Sequence, residues 1–246
     1  MIAAATLSNS RVDRAGLVLR AHVTGASPTP STDEIHDAAR IVEAFRAAHR
    51  VPMLTARMGL QSCITSEGYA IGSDGEITQR LKRRDTVWDK LRREHTMTLS
   101  RMQDIAGCRA VLPSLEAVDR VRNRFTANSL RRNGTTDRVI DYVEHPRDSG
   151  YRAVHIHIRY RGRRVEVQLR TPWQHRWARL VEDLTSRTGI DYKSGDGHHQ
   201  MHQLLRTLGD LYATRDVEGP YQSVSDTELR THAEEIADLG VDLSIG

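Results

Sequence analysis

The chain has 246 residues, of which 38% are hydrophobic and 28% are charged, and this balance indicates a globular protein rather than a disordered one. No apolar run approaches the roughly 20 residues of a membrane helix, and no basic flank precedes the first apolar residues, so we expect a cytoplasmic protein without a membrane partner. Cys63 and Cys108 form neither a metal-ligand spacing nor a disulfide framework, which is typical of two structural thiols in a reducing compartment.

The charge is unevenly distributed along the chain. Residues 216–246 contain eight acidic residues and one arginine, a net charge of −7, which leaves +11 on residues 1–215 because the whole chain carries +4. A basic body of this kind indicates an anionic partner, either nucleotide phosphates or nucleic acid. Three roles stay open for the acidic end: an interface for a partner or subunit, a cover over the basic site of its own chain, or a solvated helix.

The predicted elements begin after a loose leader with one short helix in residues 1–30, where glycine and proline interrupt any sustained period. Ser31 and Glu34 have the spacing of a capping box, and the apolar residues behind them recur at helical spacing, which predicts a helix over 32–50. The next segment begins at Pro52 and is expected to pack through three apolar residues, Leu54, Met58 and Leu60.

Strands and helices alternate through the middle of the chain. A turn-rich loop at 66–76 and a basic stretch lead to a helix near 85–94, and a later helix, capped by Ser114, is predicted to end near residue 127. Short apolar runs and clean alternation predict four strands, at 105–112, 137–144, 153–160 and 163–169. Arg161–Gly162 lies between the last two strands, which therefore form a hairpin.

The last part of the chain is predicted to be helical. Pro172 opens a helix that ends near residue 188, and 198–246 is mostly helical with a break at Gly219–Pro220. The order of elements predicts an α/β domain in which helices cover a mixed sheet and further helices lie at both ends.

Residues in the basic stretch and in the first predicted strand indicate phosphate chemistry. Lys82 and Lys90 are point charges suited to phosphates, and Arg80 can stack on an adenine ring. Asp104 stands at the start of a buried strand, where an unpaired carboxylate is costly, so we expect it at the strand mouth as a ligand of a cation. Arg109 projects from the same strand.

The loop at 146–150 and the strand after the hairpin carry the remaining polar candidates. Arg147 lies in the loop and Tyr151 follows it directly, where the ring can either stack on a base or pack at a strand edge. Glu166, Gln168 and Arg170 share one face of the last strand, opposite valine and leucine, which predicts either a site floor or an exposed sheet face. A floor with Glu166 across from Asp104 would fit metal-assisted phosphoryl transfer.

Together and in order, these segments resemble the synthetase domain of the RelA/SpoT family. The matching motifs are Arg80-Leu-Lys82 with Lys90, Asp104-Ile-Ala-Gly-Cys-Arg109, Ser149-Gly-Tyr-Arg-Ala-Val-His155, and Val165-Glu-Val-Gln-Leu-Arg-Thr171 followed by His175 and Trp177. The resemblance covers roughly 35–190 and implies an α/β (α+β) fold of nucleotidyltransferase type with a mixed five-stranded sheet. We expect this domain at 31–190 and a helical extension with an acidic end at 191–246.

The resemblance implies an ATP:nucleotide 3′-pyrophosphokinase, a stand-alone small alarmone synthetase that makes (p)ppGpp from ATP and a guanine nucleotide with Mg²⁺. It also implies a role for each matching position: Arg80 and Arg109 around the adenine, Lys82 and Lys90 on the ATP phosphates, Asp104 as a magnesium ligand, Glu166 as a second ligand or as the base, Tyr151 stacked on the acceptor base, and Arg147, His155, Gln168, Arg170 and His175 on the acceptor side.

Other functions stay open because the acceptor loop departs from the family pattern. Arg147 and Ser149 stand where the family often has lysine and asparagine, so the acceptor could be an adenine nucleotide or, as in toxic short members, the 3′-CCA end of tRNA. A toxin would bring an antitoxin partner. An inactive homologue that regulates a larger relative, or a homo-oligomer, is a further possibility. His36-Asp37 lies inside a predicted helix without partner ligands, so we expect no alarmone hydrolysis.

Overall fold

The computed structural model describes residues 7–73, 75–129, 134–194 and 199–219, in which helices surround one mixed sheet. The helices are α1 (Asn9–Thr24), α2 (Thr32–Ala47), α3 (Arg50–Ser66), α4 (Arg84–Arg93), α5 (Leu115–Ser129), α6 (Pro172–Thr188) and α7 (His199–Glu218). The strands are β1 (Glu76–Leu81), β2 (Ala106–Val111), β3 (Gly134–Asp141), β4 (Val154–Tyr160) and β5 (Arg163–Arg170). Short 3₁₀ turns lie at Leu99–Arg101 and Tyr192–Ser194.

The five strands are ordered β1-β2-β5-β4-β3, with β2 and β5 parallel and the other neighbours antiparallel. The predicted mixed five-stranded sheet is therefore confirmed, and β5 is its central strand. The edge strand β1 was not predicted. Its residues are exposed or half-buried throughout, so it carries no apolar run from which a strand could be recognised.

One face of the sheet is apolar and the other is polar, because successive side chains of a strand point to opposite faces. The apolar face packs against α3 and α5 in a common core that includes Val154, Ile156, Ile158, Val165, Val167 and Leu169. A second core joins α1, α2 and α4 to Ile105, just before β2, and a third joins α6 and α7 to Tyr151 and Ala153, just before β4. The polar face of the sheet carries the predicted site residues.

Helix α1 corrects the expectation of a loose leader. Ser8 caps its N-terminus, and Gly25 ends it in the left-handed conformation, with φ of 65°. Val12 and Leu19 are fully buried against the second core. The two residues are two helical turns apart, so the apolar stripe of α1 is narrow. In the sequence this stripe is difficult to recognise because charged residues surround it.

The other helices agree with expectation except in the face that α3 buries. The capping box of Ser31 and Glu34 is present, and α6 begins at the predicted proline. In α3, however, Leu54 and Met58 are exposed, and the buried face consists of Met53, Ala56, Leu60, Cys63 and Ile64. The prediction was therefore right for Leu60 and wrong for Leu54 and Met58, because two helical stripes of apolar residues run along this segment and only contact with the sheet selects one.

Both cysteines are buried, and they are not joined in a disulfide. Within the described ranges, no helix is both long and apolar enough to cross a membrane. Residues 220–246, which hold most of the predicted acidic segment and Pro220 of the predicted break, lie outside the described residues.

Helix α7 packs directly on the loop that precedes Tyr151. A Cβ atom added to Gly209 would lie 2.6 Å from the carbonyl oxygen of Gly150, and the indole of Trp177 donates to the carbonyl of Leu205, 2.8 Å away. Arg152 also donates to Asp210 at 2.8 Å. The loop backbone and α7 therefore share one tightly fitted contact.

Gly209→Ala is expected to lower the free energy of unfolding by about 1–3 kcal/mol, since a methyl group would press on backbone that cannot yield cheaply. Urea unfolding measures the effect. Gln203→Ala, at an exposed position of the same helix, is the control and should change the stability little. Equal stability of the two variants would mean that α7 does not hold the loop closely.

Asp216, near the end of α7, accepts a hydrogen bond of 2.8 Å from Thr171, the N-cap residue of α6. Burial raises the pKa of the Asp216 carboxyl to about 6, well above its usual value, although the hydrogen bond from Thr171 opposes the shift. Between about pH 4 and pH 6 the folded state binds more protons than the unfolded state, so stability falls as the pH rises through this window.

Asp216→Asn is expected to raise the melting temperature above pH 6 and to leave it unchanged near pH 4, where the aspartate is already neutral. The asparagine keeps an oxygen for Thr171, and the gain is at most about 3 kcal/mol. Thermal unfolding across pH 4–8 measures it. Glu218→Gln, at an exposed residue of the same helix, should not show this pH-dependent gain.

Candidate active site

Five side chains on the polar face of the sheet and beside it are joined in a closed ring of hydrogen bonds. Arg170 donates to the hydroxyl of Tyr151 at 2.9 Å and to the side-chain oxygen of Gln168 at 2.8 Å. Gln168 donates to Oε2 of Glu166 at 2.7 Å. His155 closes the ring, with Nε2 2.6 Å from the Tyr151 hydroxyl and Nδ1 3.0 Å from Oε1 of Glu166. The ring brings together four predicted acceptor-side residues and the predicted base.

Glu166 is a buried carboxylate that stays ionised. Burial alone would raise its pKa, but hydrogen bonds from His155 and Gln168, together with the His157 imidazole 3.5 Å away, outweigh burial and hold that pKa well below its usual range. Burial lowers the pKa of His155, so the imidazole is neutral near pH 7 although its contact with Glu166 opposes the shift. The ring therefore holds one negative charge, on a group that can accept a proton.

Glu166 lies in a row of paired residues that crosses the sheet. Arg80 on β1 pairs with Gly107 on β2, Gly107 pairs with Glu166 on β5, and Glu166 pairs with His157 on β4. A Cβ atom added to Gly107 would meet, among the described residues, only the backbone oxygen of Glu166, at 3.8 Å. The surface above Gly107 is therefore open for a ligand between the guanidinium and the carboxylate.

Asp104 forms a separate cluster with two lysines at the mouth of β2. Lys82 donates to one carboxylate oxygen at 2.7 Å and Lys90 to the other at 3.1 Å. Burial alone would raise the pKa of Asp104, but the two ammonium charges outweigh it and lower that pKa. The cluster carries a net positive charge, and the Asp104 side chain is 27% exposed. It can therefore take up a further anion.

Arg80 and Arg109 lie on adjacent strands of the same sheet face. Arg80 pairs with Gly107 and Arg109 pairs with Thr78, so the two arginines are diagonal neighbours across an antiparallel pair. Diagonal neighbours are separated by about 7–8 Å, which is close to the spacing of two guanidinium groups that stack on opposite faces of one planar ring. This placement is compatible with the predicted adenine site.

Two positions were open for the Tyr151 ring, stacked on a base or packed at a strand edge, and the resemblance implied the first. The ring is fully buried, and the ammonium of Lys193 lies 4.5 Å from its centroid. Arg147 lies over the same ring at 5.6 Å and donates to the hydroxyl of Tyr142 at 2.9 Å. Burial and the charge of Arg170 lower the pKa of Lys193 to about 8. A base can stack on Tyr151 only if Lys193 leaves the ring.

His175 lies on α6, close to Arg109 and Arg170. Burial, together with the charges of these two arginines, lowers the pKa of His175 to about 4. Its Nδ1 atom is buried without a hydrogen-bond partner. The imidazole is therefore neutral at physiological pH and lies beside the two arginines of the polar sheet face.

Residues 79–196 match the family model described as the region found in RelA / SpoT proteins. We call this matched segment the RelA/SpoT region. The chain is 32% identical, over 182 residues, to the uncharacterized proteins Rv1366 of Mycobacterium tuberculosis and Mb1401 of Mycobacterium bovis, an overlap of 74% of this chain and 60% of each relative. The chain thus spans about three fifths of the length of these relatives.

Solved structures with the same fold include small alarmone synthetases. Small alarmone synthetase 1 from Bacillus subtilis, bound to its product pppGpp, superposes with a TM-score of 0.62 and 23% identity, over 77% of this chain and 96% of that chain. A GTP pyrophosphokinase family protein from Streptococcus pneumoniae gives a TM-score of 0.58 and 20% identity, over 80% and 96% of the two chains. At these identities the likeness establishes the fold.

Two residues of the RelA/SpoT region beside the site were not identified from the sequence. His157 could have been found, because it alternates with His155 on a strand next to Glu166, so it shares the polar face. Lys193 could not, because it follows α6 and reaches Tyr151 only through the packing of that helix. The two carboxylates predicted as metal ligands, Asp104 and Glu166, have different partners. Among the described residues, one group of side chains could hold a metal ion, and it contains Glu166 and two histidines but not Asp104.

Tyr151→Phe is expected to lower the free energy of unfolding by about 1–3 kcal/mol, since it leaves polar atoms of Arg170 and His155 buried without their partner. Urea unfolding measures the change. Tyr142→Phe is the matched control, because its hydroxyl accepts from the exposed Arg147 and should matter less. Equal effects would mean that the ring in the RelA/SpoT region adds no stability.

Proposed function

We propose that the chain transfers the β,γ-pyrophosphate of ATP to the 3′-hydroxyl of a guanine nucleotide, forming (p)ppGpp. The observation that carries the proposal is the sheet face of the RelA/SpoT region, where the Asp104 cluster with Lys82 and Lys90 lies at the mouth of β2 and ionised Glu166 lies across from Gly107 on the neighbouring strand. Transfer forms a bond from the 3′-oxygen to the β-phosphorus and breaks the bond to the α-phosphate oxygen, so that AMP leaves.

Different residues of the polar sheet face suit ATP and the acceptor. Arg80 and Arg109 are placed to hold the adenine, and Lys82 and Lys90 to hold the phosphates, which would take over the lysines' present contacts with Asp104. Cations concentrated around the phosphates stabilise the charge that develops on their oxygens. Glu166 is placed to accept the proton of the attacking hydroxyl, which is a poor nucleophile without a base.

Mg²⁺, which the family implies, fits Asp104. A carboxylate beside two lysines that also serve phosphates is the donor set that Mg²⁺ shares with a nucleotide. When bound, the ion would neutralise charge on the phosphate chain. Glu166 was also predicted as a ligand of this ion, but it lies in a separate cluster with His155 and His157 that does not contain Asp104, so we assign it the role of base.

A nucleotide acceptor is favoured by three cations around Tyr151. Lys193, Arg147 and Arg170 lie 4.5, 5.6 and 5.3 Å from the ring centroid. Such a group matches the polyphosphate of GDP or GTP, whose base would displace Lys193 from the ring. Other structures of this fold are named as complexes with pppGpp and with AMPCPP, in agreement with nucleotide substrates.

A second candidate is transfer to the 3′ end of tRNA. Arg159 and Arg164 pair directly across β4 and β5, next to the His157–Glu166 pair, and Arg161 and Arg163 continue the charge to the hairpin. This surface would extend the site along a nucleic-acid backbone. Asp137 neutralises part of it through ion pairs with Arg159 and Arg164, which weakens this candidate.

A label-transfer assay decides between these functions. ATP labelled at the γ-phosphate is incubated with Mg²⁺, the protein and, in separate reactions, GDP, GTP, adenine nucleotides or deacylated tRNA. We expect label on GDP or GTP. Label on tRNA alone, with a steep dependence on salt, would establish the second candidate. Transfer to no acceptor would contradict both and favour an inactive homologue that binds a partner.

A further inference from the structure

Three potential metal ligands converge beside the central strand. One nitrogen of His155, one nitrogen of His157 and one carboxylate oxygen of Glu166 all lie within 4.8 Å of one another. The two nitrogens approach the same atom, Oε1 of Glu166: Nδ1 of His155 at 3.0 Å and Nε2 of His157 at 3.5 Å. The histidines alternate on β4, and Glu166 pairs with His157 on β5, so strand geometry fixes all three on one face.

These separations fit the coordination sphere of a transition metal. Zinc bonds to histidine nitrogen and carboxylate oxygen at about 2.0–2.2 Å, and two such ligands at a tetrahedral angle are about 3.4 Å apart. The observed 3.0 and 3.5 Å lie on either side of that value. Both nitrogen-to-oxygen separations are therefore compatible with one shared ion.

The outer contacts of the cluster are those of ligands held in place. The second nitrogen of His155 bonds to the Tyr151 hydroxyl at 2.6 Å, and the second oxygen of Glu166 accepts from Gln168 at 2.7 Å. Ligating histidines and carboxylates usually have such partners, which fix the orientation of the ligand atom. Tyr151 and Gln168 are themselves held by Arg170.

His157 provides the observation that hydrogen bonding leaves unexplained. Its Nε2 atom is buried without a hydrogen-bond partner and faces Oε1 of Glu166 from 3.5 Å. A buried polar atom is normally satisfied, and a metal ion would satisfy this one. The open surface over Gly107, directly across from Glu166, leaves room for a fourth ligand.

We propose that His155, His157 and Glu166 bind a divalent transition-metal ion of the zinc class, distinct from Mg²⁺ at Asp104. Two imidazoles and one carboxylate suit such ions, whereas Mg²⁺ prefers oxygen ligands alone. The site shares Glu166 with the proposed transfer reaction but does not depend on that reaction.

Metal titration of the full chain, stripped with a chelator and free of nucleotide, tests the site. Zn²⁺ is followed by calorimetry, and Co²⁺, as a coloured substitute, by visible absorption. We expect one ion per chain, and we expect His157→Gln to weaken binding at least about tenfold. Millimolar Mg²⁺ should not displace Co²⁺. His36→Gln, which removes an exposed histidine of α2, is the matched control and should bind like the unaltered chain.

His157→Asp keeps a ligand atom and is expected to retain the ion, so a folding defect is distinguished from loss of a ligand. The proposal is overturned if neither ion binds saturably, if His157→Gln binds as tightly as the unaltered chain, or if Mg²⁺ competes equally. Because no nucleotide is present, these outcomes are independent of the label-transfer assay. Label transfer without metal binding would contradict the metal site alone. Metal binding without label transfer would contradict the transfer reaction alone.

Discussion

Asp104→Asn is expected to lower label transfer from ATP at least about a hundredfold. The carboxylate takes one lysine on each oxygen and is the group we assign to Mg²⁺, so an asparagine would remove both the ion and the charge that holds Lys82 and Lys90. The two ammonium groups would then repel each other where the phosphates should lie. Initial rates at saturating ATP and Mg²⁺ measure the loss.

Asp89→Asn is the matched control for this variant. Asp89 lies on α4, its side chain is 61% exposed, and its contact is a surface ion pair with Arg92. The same charge is lost there without any contact to Asp104, so transfer should stay within about twofold, since such exposed pairs contribute little. A near-normal rate for Asp104→Asn would remove Asp104 from the reaction.

Glu166→Gln is expected to lower transfer by a similar factor, at least about a hundredfold, because an amide cannot accept the proton of the acceptor hydroxyl. The amide can keep its oxygen toward the amide nitrogen of Gln168, and its nitrogen can donate to Nδ1 of His155 once the imidazole takes its other tautomer, so the side chain keeps both neighbours. The fold should therefore survive while the chemical step fails. Single-turnover rates at saturating acceptor isolate that step.

Glu116→Gln provides the comparison, since this glutamate lies on α5 with a side chain that is 78% exposed. It should transfer label at the normal rate. If Glu166→Gln slowed transfer only through weaker acceptor binding, with an unchanged single-turnover rate, Glu166 would be a binding residue and not the base.

Local patterns predicted the sheet and most helices. Alternation along β4 and β5, the Arg161–Gly162 turn and the proline at the start of α6 each depend on neighbours in sequence, so they could be recognised from the chain alone. The edge strand β1 and the buried face of α3 could not, because an exposed edge strand has no apolar pattern and α3 offers two apolar stripes.

The candidate site, too, could be predicted only in part from the sequence. The sequence placed Glu166, Gln168 and Arg170 on one polar face, and β5 has them there. It could not show that Tyr151 is buried beneath Lys193, or that His157 meets Glu166, because these contacts join residues brought together by strand register and helix packing.

By itself, therefore, the sequence determined the order of elements, the motifs of the RelA/SpoT region and the faces on which their side chains lie. Backbone periodicity and capping act over a few residues, and that is enough to place a side chain on a strand or helix. Only the tertiary structure decided which charges are paired. Asp104 has two lysines and Glu166 two histidines, because long-range packing sets the distances on which electrostatic and metal-binding chemistry depend.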